Sequence, residues 1–322
     1  MRPFSAADPP RSALFIVFKG IGDVILTTPL LRALRKKWPG CEVHFFTRPA
    51  SEKILRHNPN VTSVILRGKG ALARGRACRP DITVDFMGSS VSAFYSLFSG
   101  ARTRLAYRKP YGRLAYNRMV PRPDRGYTVN DRYAMLEPLG VEPDGIRPDL
   151  FFPPESERRA LDFLSANGLA AAGFVTLDIT SPRAHRQWPA AAFGRLADLI
   201  DERLGLRCVF LSGPGEEEYV KAAAGACSRR HVLCPGFDLL DLAALIRNAR
   251  LHAGTTSSPM HIAVSQDTPT FTIYGPRNSP RSWGPPSPLH AWEQGELDTL
   301  PPETVFERLS AHAAGLPVRR ER

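Results

Sequence analysis

The sequence has no apolar run close to the roughly 20 residues that cross a bilayer, so it predicts no transmembrane helix. The apolar residues 13–18 end at Lys19, which is short for the core of a signal peptide and favours a first buried strand. The 5 cysteines are scattered and form no C-x-x-C pair, so neither a disulfide framework nor a zinc site is indicated. We therefore expect a cytoplasmic protein with free thiols and no bound metal.

Acidic side chains are fewer than basic ones, 31 against 43, which gives a formal net charge of +12. The excess is concentrated between Arg67 and Arg132, where 14 Lys and Arg residues accompany 4 Asp residues. This balance indicates an anionic partner (nucleic acid, acidic membrane surface or phosphorylated substrate), unless it is only a solvated face that aids solubility. Arginine matches phosphate oxygens in bidentate fashion, and no nucleic-acid-binding motif accompanies these residues. We expect a phosphorylated partner and no nucleic acid.

Apolar runs and helical stripes alternate along the chain, which is typical of a doubly wound parallel sheet. A stretch rich in proline and acidic residues at 141–157 is a candidate linker, so we expect one domain at 1–150 and a second at 151–322. The predicted strands are 14–18, 42–47, 61–66, 82–86, 174–178, 207–211, 251–253 and 270–274. The predicted helices include 24–37, 190–204 and 239–248, the last capped by Asp238.

The first predicted strand is followed by the turn Gly20-Ile21-Gly22-Asp23. A dinucleotide-binding turn needs a further glycine at position 25, which is Ile25 here, so a nicotinamide site is not favoured. Asp23 has two possible roles. It either caps the following helix, or its carboxylate accepts a proton from a hydroxyl that attacks a sugar carbon. Thr27 and its neighbours lie one turn later and would line the same wall.

A hydroxyl-rich turn, Thr255-Thr256-Ser257-Ser258, follows a predicted strand in the second half of the chain. Pro259 suits the first turn of a helix, so the hydroxyls and free backbone amides there form a candidate anion site for a diphosphate. The alternative is a helix start with more capping residues than it needs. His261, one turn inside, is either a core histidine or a donor to a sugar or phosphate oxygen.

Two segments carry a family resemblance: FKGIGDVILTTPLLRALRKKWPG at 18–40 and ARLHAGTTSSPMHIAVSQDTPTFTIYGP at 249–276. In type, order and spacing they resemble the two ends of the heptosyltransferases, also called glycosyltransferase family 9. The resemblance implies a GT-B architecture, in which two Rossmann-like domains face each other across a cleft and the last helix, about 302–315, packs back on the first domain. It also implies inverting, metal-independent transfer of heptose from ADP-heptose to the lipopolysaccharide core.

The resemblance assigns roles to particular residues. Asp23 matches the catalytic base, Arg186 matches the lysine that binds donor phosphate, and one of Glu216, Glu217 or Glu218 matches the acid that contacts the nucleotide ribose. The remaining expected donor-binding residues are Thr256, Ser257, Ser258 and His261, and the expected acceptor-binding residues are Lys19, Gly22, Thr27, Arg104 and Arg108. The implied partners are a nucleotide sugar and an anionic glycolipid at the inner membrane face, with no cofactor or metal; no D-x-D motif is present.

The sequence departs from the family pattern at three positions. Thr256 replaces an aspartate, Ser258 replaces a glycine, and Arg186 replaces a lysine. Arginine keeps the positive charge and adds a bidentate grip, but the lost carboxylate removes an acceptor for sugar hydroxyls. A different donor sugar therefore remains an alternative, as does a weakened protein that only binds a nucleotide or an anionic glycan.

Overall fold

The computed structural model describes residue 4, residues 8–181 and residues 183–317. The chain divides into two compact units, Met1–Phe151 and Phe152–Arg322, compared with the division after residue 150 expected from composition. Each unit is built on its own parallel sheet. Within the described residues, no helix is both long and apolar enough to cross a membrane.

The sheet of the first unit has six parallel strands in the order β3-β2-β1-β4-β5-β6. Every residue of β1 is buried, as expected for a central strand covered on both faces. The strands are β1 Ser12–Ile16, β2 Glu42–Thr47, β3 Ser63–Leu66, β4 Ile82–Asp85, β5 Thr103–Tyr107 and β6 Arg118–Val120. The helices are α1 Ile21–Ile25, α2 Thr28–Lys37, α3 Glu52–Arg56, α4 Ala71–Ala77, α5 Ser90–Phe98 and α6 Thr128–Tyr133.

The single helix predicted at 24–37 is interrupted in the structure. Pro29 has no amide hydrogen to donate to the carbonyl of Ile25, and the hydroxyl of Thr28 donates to that carbonyl instead, at 2.7 Å. The chain therefore forms the short α1 and then the longer α2. This break sets Asp23 in its own one-turn helix.

The sheet of the second unit repeats the same arrangement, with the order β12-β11-β10-β7-β8-β9. Its core is formed around large buried side chains such as Trp188, Phe193, Phe210 and Phe271. The strands are β7 Phe174–Asp178, β8 Arg207–Leu211, β9 Val232–Leu233, β10 Leu251–Thr255, β11 Thr270–Tyr274 and β12 His290–Gln294. The helices are α7 Pro154–Ala166, α8 Ala190–Leu204, α9 Glu217–Gly225, α10 Leu239–Arg247, α11 Ser258–Ser265, α12 Pro280–Trp283 and α13 Pro302–Gly315.

Two predictions about helices in the second unit have different outcomes. The predicted cap of α10 is confirmed, because the carboxylate of Asp238 accepts hydrogen bonds from the backbone amides of Leu240 and Asp241. The last helix, α13, packs against α8, β12 and β11 of its own unit. Its expected packing on the first domain stays a prediction.

Candidate functional site

The carboxyl ends of β7, β8, β10 and β11 lie at one edge of the second sheet, where ligands of open α/β sheets usually bind. At this edge Gly254 of β10 pairs with Asp178 of β7. Gly254 has a φ of +149°, and a Cβ atom there would lie 2.0 Å from the backbone oxygen of Asp178. Only glycine fits this close approach of the two strands.

Asp178 is a buried carboxyl group at this edge that the sequence analysis missed. The hydroxyl of Ser257 donates a hydrogen bond to its Oδ2 atom. Burial raises the pKa of Asp178 to about 7, and the bond from Ser257 partly opposes this shift. The available signal was its place as the last residue of a predicted parallel strand. No local pattern connects it to Ser257, which lies 79 residues away.

Among the described residues, the bonds that reach this edge from the three glutamates matched to the ribose contact are those of Glu216. It accepts hydrogen bonds from the hydroxyl of Thr180 at 2.6 Å and from the amide of Gly213 at 2.8 Å. Glu217 and Glu218 are exposed in the first turn of α9, where Glu218 pairs with Lys221. Glu216 is therefore the glutamate placed beside the candidate ligand site.

The hydroxyl-rich turn does not cap α11 with its side chains. Ser257 is the N-cap residue, yet its hydroxyl makes no capping bond and is used by Asp178. The hydroxyl of Thr255 donates to the carbonyl of Thr180 at 2.8 Å. The buried hydroxyl of Thr256 has no hydrogen-bond partner among the described residues. A helix start cannot satisfy its first amides internally, so the start of α11, apart from Pro259, which has no amide hydrogen, is a candidate anion site.

Arg186 and His261 lie on different elements of the second unit. Arg186 lies in the short turn before α8, near the buried Tyr274 of β11. Burial lowers the pKa of Arg186, and its Nε atom has no hydrogen-bond partner among the described residues. His261 is buried in α11, with its ring 6.0 Å from that of Trp283. A partly buried cation and a helix start are both suited to a diphosphate.

Asp23 lies in the first turn of α1, and Gly20 is the N-cap, so the capping interpretation of Asp23 is wrong. Its Oδ1 atom accepts a hydrogen bond from Arg132 at 2.5 Å and lies 3.9 Å from the ammonium of Lys19. Arg132 is almost fully buried, and its guanidinium also donates to the backbone oxygen of Asp23 and to Thr27. Arg132 was missed because it is 109 residues away in sequence. The arrangement fixes one carboxylate oxygen in place.

The other residues expected to bind an acceptor lie in different environments. Thr27 is fully buried and helps to hold Arg132, so its side chain supports Asp23 rather than lining a wall. Gly22 forms part of α1. Arg104 donates to the carbonyls of Ala115 and Ala101, which ties β5 to its flanking segments. Arg108 is exposed and lines an open surface cavity of about 730 Å³ with Lys109, Pro110, Arg113 and Met119.

One cluster in the described residues has three side chains that a metal ion can use: Asp198, Cys227 and His231. Its ligand atoms already make hydrogen bonds. Asp198 accepts from His231 and from the backbone amides of Ser228 and Arg229, while the thiol of Cys227 donates to backbone carbonyls. Burial raises the pKa of Cys227 to about 11, which favours the protonated thiol over the thiolate that binds metals. The cluster therefore acts as a structural link between α8 and the segment before β9.

A family model described as glycosyltransferase family 9 (heptosyltransferase) matches residues 71–295, well over half of the chain. The chain belongs to glycosyltransferase family 9. The predicted family and the predicted class of enzyme, a glycosyltransferase, are both confirmed. The matched region of this family 9 member includes Asp178, Arg186, Glu216 and the turn at 255–258, whereas Asp23 lies before it.

Individual relatives agree with this membership. The chain is 26% identical over 276 residues to "Lipopolysaccharide heptosyltransferase 3" of Escherichia coli, covering 79% of this chain and 80% of that protein. A family 9 glycosyl transferase from Veillonella parvula superposes with a TM-score of 0.85 at 22% identity, covering 95% of this chain and 98% of that one. The Escherichia coli heptosyltransferase WaaC with ADP gives 0.75 at 20% identity, covering 95% and 100%. These structures confirm the predicted GT-B fold class.

Proposed function

We propose that this protein is an inverting, metal-independent heptosyltransferase that transfers heptose from ADP-heptose to a lipopolysaccharide core acceptor. The observation that carries the proposal is the edge of the second sheet, where α11 begins without a side-chain cap beside the buried Thr256 and the hydrogen bond from Ser257 to Asp178. Names of relatives support the substrate class: one is a lipopolysaccharide heptosyltransferase, and another structure holds ADP-2-deoxy-2-fluoro heptose.

The donor diphosphate would be bound by the amides at the start of α11 and by Arg186. Both carry positive charge. This charge stabilises the transition state more than the bound donor, because the diphosphate of the leaving ADP gains negative charge in the transition state. Such positive groups supply the stabilisation that a metal ion provides in other transferases. The hydrogen bonds that Glu216 already makes orient its carboxylate beside β7, where it would contact the ribose.

Asp23 would act as the general base. An acceptor hydroxyl gives its proton to the carboxylate while its oxygen forms a bond to the anomeric carbon and the bond from that carbon to the diphosphate breaks. ADP leaves with the bonding electrons, and the configuration at carbon inverts. Arg132 and Lys19 contact Oδ1 of Asp23, so Oδ2 is the oxygen that we assign to proton transfer.

Asp178 offers a reason why the loss of the family aspartate at position 256 is tolerated. Its carboxyl group, at the end of β7, lies beside Ser257, the residue that follows Thr256. We propose that Asp178 takes over the contact with a donor-sugar hydroxyl. The alternative, a transferase for another nucleotide sugar, is favoured by the change at Thr256 itself, since a hydroxyl there alters the hydrogen bonds available to the sugar.

The acceptor would be an anionic glycolipid at the cytoplasmic face of the inner membrane, contacted through the basic first unit. Arg108 is the better placed of the two arginines expected to bind it, because Arg104 is occupied by backbone carbonyls. Electrostatic attraction to an acidic membrane contributes about 1 kcal/mol per Lys or Arg near the surface.

The test is transfer by the purified protein to a lipopolysaccharide core acceptor, with ADP-heptose, UDP-glucose and GDP-mannose as competing donors. We expect product only from ADP-heptose, and an Asp23→Asn variant should lose at least about a thousandfold in turnover while it binds the donor normally. Asp162→Asn, an exposed carboxylate in α7, is the matched control. Product from another donor would support the alternative, and normal transfer by Asp23→Asn would refute the role of the base.

A further inference from the structure

Helix α5 presents an apolar face to solvent. Val91, Phe94, Leu97 and Phe98 recur at the spacing of one helix face, and each is between 39 and 48% exposed. The sequence from residue 86 to residue 101 contains no charged side chain. Four large exposed apolar side chains on a nine-residue helix form a contiguous patch, which on a protein surface indicates an interaction site.

The opposite side of α5 holds the helix firmly on the sheet. The ring of Tyr95 packs edge-on against the rings of Phe46 and Phe18, with distances between ring centroids of 4.6 and 5.9 Å. Ser96 bonds to Thr83 of β4 at 2.6 Å, and Ser89 begins the helix with a capping box. With this side anchored to the core, the exposed phenylalanines cannot turn inward without loss of these contacts.

A second exposed apolar group lies in the turn after β5, which is joined to the segment that leads into α5. Tyr111 and Leu114 lie in the turn after β5 and are 86% and 81% exposed. The ammonium of Lys109 joins this turn to the start of α5, because it donates to the carbonyls of Met87 and Gly88 at 3.2 and 2.9 Å. We call the four residues of α5 together with Tyr111 and Leu114 the apolar face.

Cations border the apolar face. Arg108 and Arg113 line the same open cavity as Lys109, and α4, which packs on α5, carries the exposed Arg74 and Arg76. A second copy of this chain would bring the same cations against each other, since the commonest homodimers pair identical patches. An apolar centre with a cationic border instead complements a membrane interface that contains anionic lipid.

We propose that the apolar face inserts into the interface of a membrane that carries anionic headgroups, with Phe94 and Phe98 as its deepest anchors. The inference rests on the proposed function, which requires a glycolipid acceptor, and it assigns the membrane contact to one helix and one turn of the first unit. Neither group alone suffices for stable attachment: the cations supply long-range attraction and the aromatic rings supply retention.

The experiment is co-sedimentation of the full chain with vesicles of phosphatidylcholine, with and without phosphatidylglycerol. We expect binding to depend on phosphatidylglycerol and to weaken as salt increases. The double variant Phe94→Ser, Phe98→Ser should lose at least about a hundredfold in partition, because burial of each ring contributes about tenfold or more. Arg108→Gln with Arg113→Gln should reduce binding only to the anionic vesicles.

Leu161→Ser is the matched control, since Leu161 is 47% exposed but lies on α7 in the second unit. Thermal unfolding followed by circular dichroism checks that each variant is folded. Binding of the double variant at the wild-type level, an equal loss in Leu161→Ser, or no binding of the wild type to anionic vesicles overturns the inference. A wild-type dimer that the double variant dissociates in sedimentation equilibrium also overturns it, in favour of self-association.

The assay needs neither donor nor acceptor, so its outcome is separate from that of the proposed function. Vesicle binding without heptose transfer would support the apolar face and refute the heptosyltransferase. Heptose transfer by a protein that does not bind vesicles would support the heptosyltransferase and refute the role of the apolar face.

Discussion

The guanidinium of Arg132 donates hydrogen bonds to both the backbone carbonyl and the carboxylate of Asp23. It also donates to the hydroxyl of Thr27, so one side chain of α6 holds three groups of the segment 23–27. The motif near the start of the chain is therefore incomplete without a residue far along the sequence. Arg132 is a positioning residue for the proposed base.

Replacement of Arg132 by methionine should destabilise the protein by roughly 3 kcal/mol, because it leaves Asp23 without the partner of a largely buried pair. Urea unfolding measures the effect. Arg125→Met is the control: its pair with Glu137 is solvent-exposed, and its loss should cost about 1 kcal/mol or less. Equal losses in the two variants would contradict a special role for Arg132.

Arg132→Lys separates positioning from stability. Lysine keeps the positive charge but cannot bond to the backbone oxygen, the carboxylate and Thr27 with one planar group. We expect most of the stability to return while turnover stays well below that of the wild type, with KM for the donor little changed. Full recovery of turnover would show that charge alone is sufficient at this position.

Asp178 makes stability depend on pH. Its folded pKa of about 7 lies above the ordinary value of 3.8, so between these values the folded state binds more protons than the unfolded state. Its contribution to stability is therefore fully present below about pH 4 and is lost as pH rises towards 7. A shift of this size corresponds to a few kcal/mol, on the order of 4.

An Asp178→Asn variant removes this dependence. At each pH we compare its free energy of unfolding with that of the wild type, measured with urea. We expect this difference to favour the variant more at pH 8 than at pH 5. The exposed Asp162→Asn variant should follow the wild type at both. If Asp178→Asn changes stability equally at the two pH values, the carboxyl group does not titrate in this range.

The sequence predicts the central parallel strands well, because β1, β2, β7, β8 and β11 are short apolar runs covered on both faces. It misses β5, β6, β9 and β12. In β5 and β6 arginines interrupt the apolar pattern. Arg104 lies within β5 with its guanidinium bonded to two backbone carbonyls. A local pattern cannot show that a charged side chain finds such partners.

The candidate site also contains residues that the sequence predicts and residues that it does not. Asp23 and the turn at 255–258 are visible in the sequence because each is a compact motif beside a strand. Arg132 and Asp178 are not, since their importance arises from partners 109 and 79 residues away. The sequence also could not choose among three adjacent glutamates, whereas the bond from Thr180 distinguishes Glu216.

Arg186 should contribute strongly to donor affinity. Arg186→Ala removes a partly buried cation, and we expect the dissociation constant for ADP to increase about 10- to 100-fold, as for a lost charge-assisted hydrogen bond. Arg186→Lys should retain part of the affinity. Isothermal titration calorimetry with ADP measures both, and Arg183→Ala, an exposed neighbour, is the control. Unchanged affinity in Arg186→Ala would exclude a contact with the diphosphate.

The close approach of β10 and β7 at Gly254 provides a last test of the site's backbone. In Gly254→Ala the new Cβ would meet the backbone oxygen of Asp178 at 2.0 Å, and the φ of +149° is unfavourable for alanine. The strands must separate, which should cost more than about 3 kcal/mol and should weaken ADP binding, because the turn that starts α11 moves with β10.

Gly225→Ala, where a Cβ meets nothing within 4 Å, should leave both unfolding free energy and affinity nearly unchanged. Urea unfolding and calorimetry on the two variants distinguish a packed strand junction from one with room to adapt. Wild-type stability and ADP affinity in Gly254→Ala would show that the junction can open without loss.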